Sequence, residues 1–165
     1  MAFDLPGLAE FAVTEISRFA AQARKHKVSK SLVLGAPDET FYAFAIDGDL
    51  LCLNTLESFA QCLNAYQEWY PDRYHQPEIV EQLRMSTGDW AYQGFARMGR
   101  ENGFDEELYA KHYDIGFQDA GSPALQDTEY AIAMDEVLEL LKQRNAFVAL
   151  RKTADFVVCR VEHEY

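Results

Sequence analysis

Four histidines, three cysteines and 27 carboxylates are the groups in this 165-residue chain that could carry acid–base, nucleophilic or metal chemistry. Such chemistry needs its groups brought together, which on one helix means spacings of three or four. His26, His75, His112 and His163 are isolated from one another in sequence. Glu162-His163-Glu164 sets three polar groups side by side, but strand alternation would divide them between two faces. Cys52, Cys62 and Cys159 are odd in number and form no CxxC, which argues against a disulfide framework or a zinc site. They read as reduced, structural thiols in apolar runs. The chain has no G-x-G-x-x-G, P-loop, H-E-x-x-H, G-x-S-x-G or EF-hand spacing, so no cofactor, metal or catalytic residue is implied.

Among the acids, only Asp89 looks placed rather than scattered. It lies in Ser86-Thr87-Gly88-Asp89-Trp90-Ala91-Tyr92, where a hydroxyl pair, a flexible Gly and two amphipathic aromatics surround it. Such a loop could line a pocket. The preferred reading is a turn in which Asp89 bonds nearby backbone N–H groups and Trp90 anchors the core. Trp69, Tyr70 and Tyr74 form a second aromatic group. Core packing is its default role, although Trp and Tyr are also common interface anchors. Trp69, Asp89, Trp90 and Tyr92 therefore stand as candidate partner contacts.

The elements that must position these groups are legible from periodicity. Asp4 caps a first helix whose stripe runs Leu8, Ala12, Ile16, Phe19 and Ala23, ending near Lys25–Lys27. Pro37-Asp38-Glu39 is a loop signal. Two apolar runs, 41–46 and 49–54, flank Asp47-Gly48, which predicts a type I′ hairpin central in a sheet covered on both faces. Asn54 with Glu57 predicts a helix start, followed by the stripe Leu56, Phe59, Leu63, Tyr66 and Tyr70, which Pro71 stops. Shorter helices are expected over Pro77–Arg84 and Asp105–Tyr113. A last long helix is capped by Asp127 or Thr128, with Tyr130, Met134, Val137 and Leu141 inward. A final strand runs Asp155–Glu162, with Val157, Cys159 and Val161 alternating against Arg160 and Glu162. No repeat or linker interrupts residues 1–165, so the expectation is one α+β domain: a small antiparallel sheet with a central hairpin, packed against several helices.

Composition narrows the class. The chain is 48% hydrophobic with only 9 Gly and 5 Pro, and no apolar run reaches the roughly 18–20 residues of a membrane span. No signal peptide is visible, so a soluble, cytoplasmic protein is expected. Lys plus Arg number 15 against 27 acids, a net charge of −12. That surface repels phosphate backbones and anionic membranes and attracts basic partners. The imbalance is concentrated: residues 101–139 hold 11 acids and one base, Lys111. A solvated face is one reading of that segment and a docking surface for a cationic protein is the other. Asp105, Glu106, Glu107, Asp114 and Asp119 are the expected contributors. A Glu107–Lys111 pair would leave Asp105 and Glu106 facing outward, with Asp114 and Asp119 in or beside the Gly116–Gly121 loop.

The run 41–46 leading into Asn54-Thr55, then Trp69-Tyr70, then Thr87-Gly88-Asp89-Trp90-Ala91-Tyr92, and finally Thr153-Ala154-Asp155-Phe156-Val157-Val158 together resemble a family of small bacterial proteins of unknown function. The resemblance covers about residues 8–162. Similar proteins occur among the immunity partners of bacterial toxins, and the family supplies no catalytic residues to carry over. What the resemblance implies is an immunity-type protein that binds and neutralises a cognate toxin, and the acidic segment suits a toxin domain that is basic and nuclease-like. The alternatives are a non-enzymatic housekeeping or scaffold protein and, third, a small hydrolase using Asp89 and a histidine.

Overall fold

The apolar runs 41–46 and 49–54 do pair, and everything else is arranged around them. The computed structural model describes residues 2–25 and 39–162. The expectations at Lys27, at Pro37-Asp38, at His26 and at His163-Glu164 lie outside the described residues. In chain order the elements are α1 (Leu5–Lys25), β1 (Phe41–Asp47), β2 (Leu50–Thr55), α2 (Leu56–Trp69), α3 (Pro77–Arg84), β3 (Tyr92–Arg97), α4 (Glu106–Gln118), α5 (Glu129–Gln143) and β4 (Lys152–Arg160). Short 3-10 turns cover Thr87–Asp89, Arg100–Asn102 and Pro123–Asp127. This is an α+β fold.

The strand order is β3-β2-β1-β4. β1 pairs antiparallel with β2, and β2 with β3, but β4 lies parallel to β1. The sheet is therefore mixed, not antiparallel as the sequence suggested. β4 enters after α5, and a strand reaching β1 through a helix has no hairpin to reverse it. All seven residues of β1 are buried, as its two-faced apolar pattern predicts. On one face Phe44, Ile46, Leu51 and Leu53 meet Leu8, Ile16, Met134 and Leu141 of α1 and α5 in the larger core. On the other, Tyr42, Ala43, Ala45 and Cys52 meet Trp90, with Phe59 of α2 against them. A register shift between Phe41 and Ala43 puts the consecutive residues Tyr42 and Ala43 on that same face.

Local chemistry sets the boundaries. Asp4 caps α1 through its Oδ1, which accepts from Gly7 N at 3.1 Å. Thr128 caps α5, accepting from Ala131 N at 3.1 Å. Tyr130, Met134, Val137 and Leu141 are all buried, as their spacing predicts. The hairpin loop is Gly48-Asp49, one residue later than expected, because Asp47 pairs with Leu50. Gly48 has φ +61° and Asp49 is not among the positive-φ residues, which is the type II′ pattern rather than I′. α2 is capped by Thr55, whose hydroxyl accepts from Ser58 N at 3.1 Å, not by Asn54. No residue of α2 is buried, so its apolar stripe only leans on the smaller core.

In β4 the inward set is also shared differently. Phe156 and Val158 pack on the larger core, while Cys159, and Val161 just past the strand, pack on the smaller one.

Candidate functional site

The sequence-predicted acids of the 101–139 segment separate into one buried structural residue and four exposed ones. Asp105 is buried, because it is the N-cap of α4: one carboxylate oxygen accepts from Glu107 N and Leu108 N, each at 3.1 Å. It is not part of an outward face. Glu106, expected to be free, is bonded to Arg100 at 2.9 Å, and no Glu107–Lys111 ion pair forms. α4 runs on to Gln118, so Asp114 is helical and Asp119 is the C-cap residue. Glu107, Asp114 and Asp119 are exposed, and of the eleven acids in 101–139 only Asp105 is not. Beside them, Phe3, Leu5, Leu108 and Ile132 line a shallow slot of about 240 Å³ rimmed by Glu129 and Glu136. Ile132 is half exposed. An apolar floor with a carboxylate rim suits an apolar side chain flanked by cations.

Trp90 and Tyr92 are core anchors rather than contacts. Trp90 is 5% exposed and its Nε1–H donates to Arg84 O at 2.9 Å. Tyr92 opens β3, is 6% exposed, and donates its hydroxyl to Glu39 at 2.5 Å. Burial raises the Glu39 pKa, and the Tyr92 bond opposes that shift. Around Trp90 the polar groups form a closed set. Tyr42 OH donates to Arg84 O at 2.6 Å and accepts from Asn54 Nδ2 at 2.8 Å, while Asn54 Oδ1 accepts from Ala91 N. Burial first of all pushes the Tyr42 phenol up to about 12, so it stays protonated.

Asp89 is held by hydroxyls, not by the backbone N–H groups expected. Tyr66 OH donates to Oδ1 at 2.7 Å and Ser86 Oγ to Oδ2 at 2.9 Å. The bond to Asp89 pushes Tyr66 up to about 12. Asp89, Ser86, Tyr74 and Arg73 line a concavity of about 160 Å³. Beyond it stand Trp69, 65% exposed, and Tyr70, 55% exposed.

The constellation that sequence reasoning missed is His112. Its Nδ1 lies 2.7 Å from Thr128 Oγ1 and its Nε2 lies 2.8 Å from Glu162 Oε2. Glu162 is also bonded to Arg160, which reaches Asp135 at 3.0 Å and Gln126 at 2.7 Å. Hydroxyl, imidazole and carboxylate thus stand in a row, the order of a nucleophilic relay. Here, however, the hydroxyl is the cap of α5, and the ring is 3% exposed under Tyr130 and Tyr109. Burial, and after it the Arg160 guanidinium, lowers His112 to about 4. The row serves as a latch joining α4, the cap of α5 and the residues just past β4. No sequence spacing signals it, since the partners lie 16 and 50 positions away.

The three cysteines are free, Cys52 buried and Cys62 and Cys159 half-buried, and burial raises each thiol pKa. Among the described residues no group of three His, Cys, Asp or Glu is placed to hold a metal ion. Nor is any helix among them long and apolar enough to cross a membrane.

Comparison with curated proteins and with solved structures returns no match. A family model does match, over residues 21–165, and by it the chain belongs to the family described as a domain of unknown function, DUF4303.

Proposed function

We propose that this protein is an immunity-type inhibitor, a cytoplasmic binder that neutralises a basic, nuclease-like bacterial toxin domain by covering it. The observation that carries this reading is the acidic face of α4 and α5. Ten of the eleven acids between 101 and 139 reach solvent, and an apolar slot lies among them. Nuclease domains that grip phosphate backbones are cationic, so such a face gains association rate through steering and excludes substrate once seated. A hydrolase using Asp89 with a histidine is less well supported, because the bonded partners of Asp89 are two hydroxyls.

The test is growth rescue. The product of the reading frame adjacent to this one is expressed in cells with and without the protein, and the pair is mixed in vitro. Rescue with a stable complex is expected, and association should slow when salt is raised. Reversing Glu107, Asp114 and Asp119 to Lys should slow it likewise without unfolding the protein. An adjacent product that is not toxic, or is toxic but neither bound nor neutralised, overturns the reading.

A further inference from the structure

The C-terminal end of α2 leaves its largest aromatic side chains in solvent. Tyr66, Trp69, Tyr70 and Tyr74 form one cluster, with the Tyr66 ring 5.7 Å from Trp69, 6.5 Å from Tyr70 and 4.8 Å from Tyr74. Tyr66 ties that cluster to the Asp89 carboxylate at 2.7 Å. The rings are thus braced from inside, while Trp69 and Tyr70 remain more than half exposed. Apolar area of that kind, built from Trp and Tyr, is the composition of an interface anchor.

Three features of the corner select a cation. Residues 66–89 hold five acids, Glu68, Asp72, Glu78, Glu81 and Asp89, against two bases, Arg73 and Arg84. The last turn of α2 contains no basic residue, so its carbonyl end adds partial negative charge. One ring of the cluster already carries a cation: the Arg73 guanidinium lies 5.6 Å from the Tyr74 centroid. Arg73 occupies that ring, while among the described residues no such cation lies over Trp69 or Tyr70. A second copy of this chain is a poor occupant, because two molecules of net charge −12 repel.

We propose that this corner is a receptor for an arginine or lysine side chain of a protein partner, seated on Trp69 and Tyr70 and held by the field of Asp89 and the α2 carbonyl end. The inference rests on the reading that the partner is basic, and it adds a second contact made by residues outside α4 and α5. An aromatic ring over an exposed cation contributes about 0.5–1 kcal/mol, which is about two- to five-fold in affinity per ring.

The chain carries its own reporter. Of its two tryptophans, Trp90 is buried, so a binding-induced change in emission reports on Trp69. The full-length protein is titrated with an acetylated nona-arginine amide and, separately, with nona-glutamate. A saturable change in Trp69 emission with the arginine peptide alone is expected. Tyr70→Ala should weaken that change about two- to five-fold, and Asp89→Asn at least as much. Because Asp89→Asn also disturbs the Tyr66 and Ser86 bonds, Tyr70→Ala at an exposed position is the deciding variant. Two results overturn the proposal: no change in emission, or a change that Tyr70→Ala leaves intact and reversal of Glu107, Asp114 and Asp119 abolishes. Either leaves the acidic-face reading standing or falling on growth rescue alone.

Discussion

Burial, and after it the Arg160 guanidinium, brings the His112 pKa down to about 4, so the latch is built around an uncharged ring. Glu162 can only accept, so the uncharged ring carries its proton on Nε2, and Nδ1 stands 2.7 Å from the Thr128 hydroxyl, which also lies 3.2 Å from Leu125 O. A folded pKa lowered to about 4, against about 6.5 in an unfolded chain, has a definite sign. Its contribution to stability is complete above pH 6.5 and is lost as pH falls through the window from 6.5 to 4, where only the unfolded chain takes the proton. Denaturant unfolding at pH 7 and pH 5 should show this loss, and His112→Gln should remove most of it. Proton NMR should place the His112 titration near pH 4. A midpoint above 6.5 would mean that the Glu162 charge outweighs burial.

The other residue whose identity is dictated by its surroundings is Gly48. Its φ of +61° disfavours any Cβ, and a Cβ there would stand 2.4 Å from the Tyr109 hydroxyl. Gly48→Val should therefore cost about 1–3 kcal/mol from backbone strain before any repacking of Tyr109. A variant as stable as the parent would show that the loop can change type. The need for glycine was legible in the sequence. The position of the loop was not, because Asp47 also fits a turn and only its pairing with Leu50 decides.

At the scale of elements, the helices were legible and the sheet only partly so. α3 falls on the expected residues, and α5 on its expected cap and stripe, because caps and 3.6-residue periodicity are local properties. β3 was missed. Its six residues, Tyr92–Arg97, include Gly94 at φ +66° and an exposed Arg, and as a half-buried edge strand it shows no clean alternation. The parallel pairing of β4 was missed for a different reason: direction depends on the path through α5, which no local pattern encodes. The candidate site divides in the same way. Exposure of Glu107, Asp114 and Asp119 followed from charge patterning, but Asp105, Trp90 and Tyr92 were claimed by capping and core packing. Capping gives Asp105 a test that separates it from its neighbours. Asp105→Ala should lower the denaturant midpoint by the equivalent of about 1–2 kcal/mol, and Asp105→Asn by much less. Glu107→Ala should be within about 0.5 kcal/mol of the parent, as an exposed position away from such features. Equal costs for Asp105→Ala and Glu107→Ala would remove the distinction between cap and face.

At the scale of the molecule, the charge itself has a cost that needs no partner to measure. A net −12, with most of its excess in residues 101–139, means that folding gathers like charges which the unfolded chain holds apart. Among the described residues these acids make three ion pairs: Glu106–Arg100 and Glu139–Lys142 are exposed and offset little of that repulsion, while Asp135 shares the buried Arg160 guanidinium with Glu162. Screening should therefore stabilise the fold. The Debye length shortens from about 30 Å at 0.01 M salt to about 8 Å at 0.15 M, less than the roughly 22 Å length of the 15-residue helix α5. Sodium chloride over that range should raise the melting temperature by about 2–4 °C, the change that about 1 kcal/mol produces at this chain length. Reversing Glu107, Asp114 and Asp119 to Lys takes the net charge from −12 to −6. That variant should melt higher than the parent at 0.01 M salt and respond less to added chloride. Chloride is preferred to sulfate, which strengthens burial by exclusion and would mimic the effect. A melting temperature that falls with salt would show that ion pairs, not repulsion, govern this surface. The acidic face would then be stabilising in its own right, and steering a basic partner would no longer be needed to explain why these charges stand together.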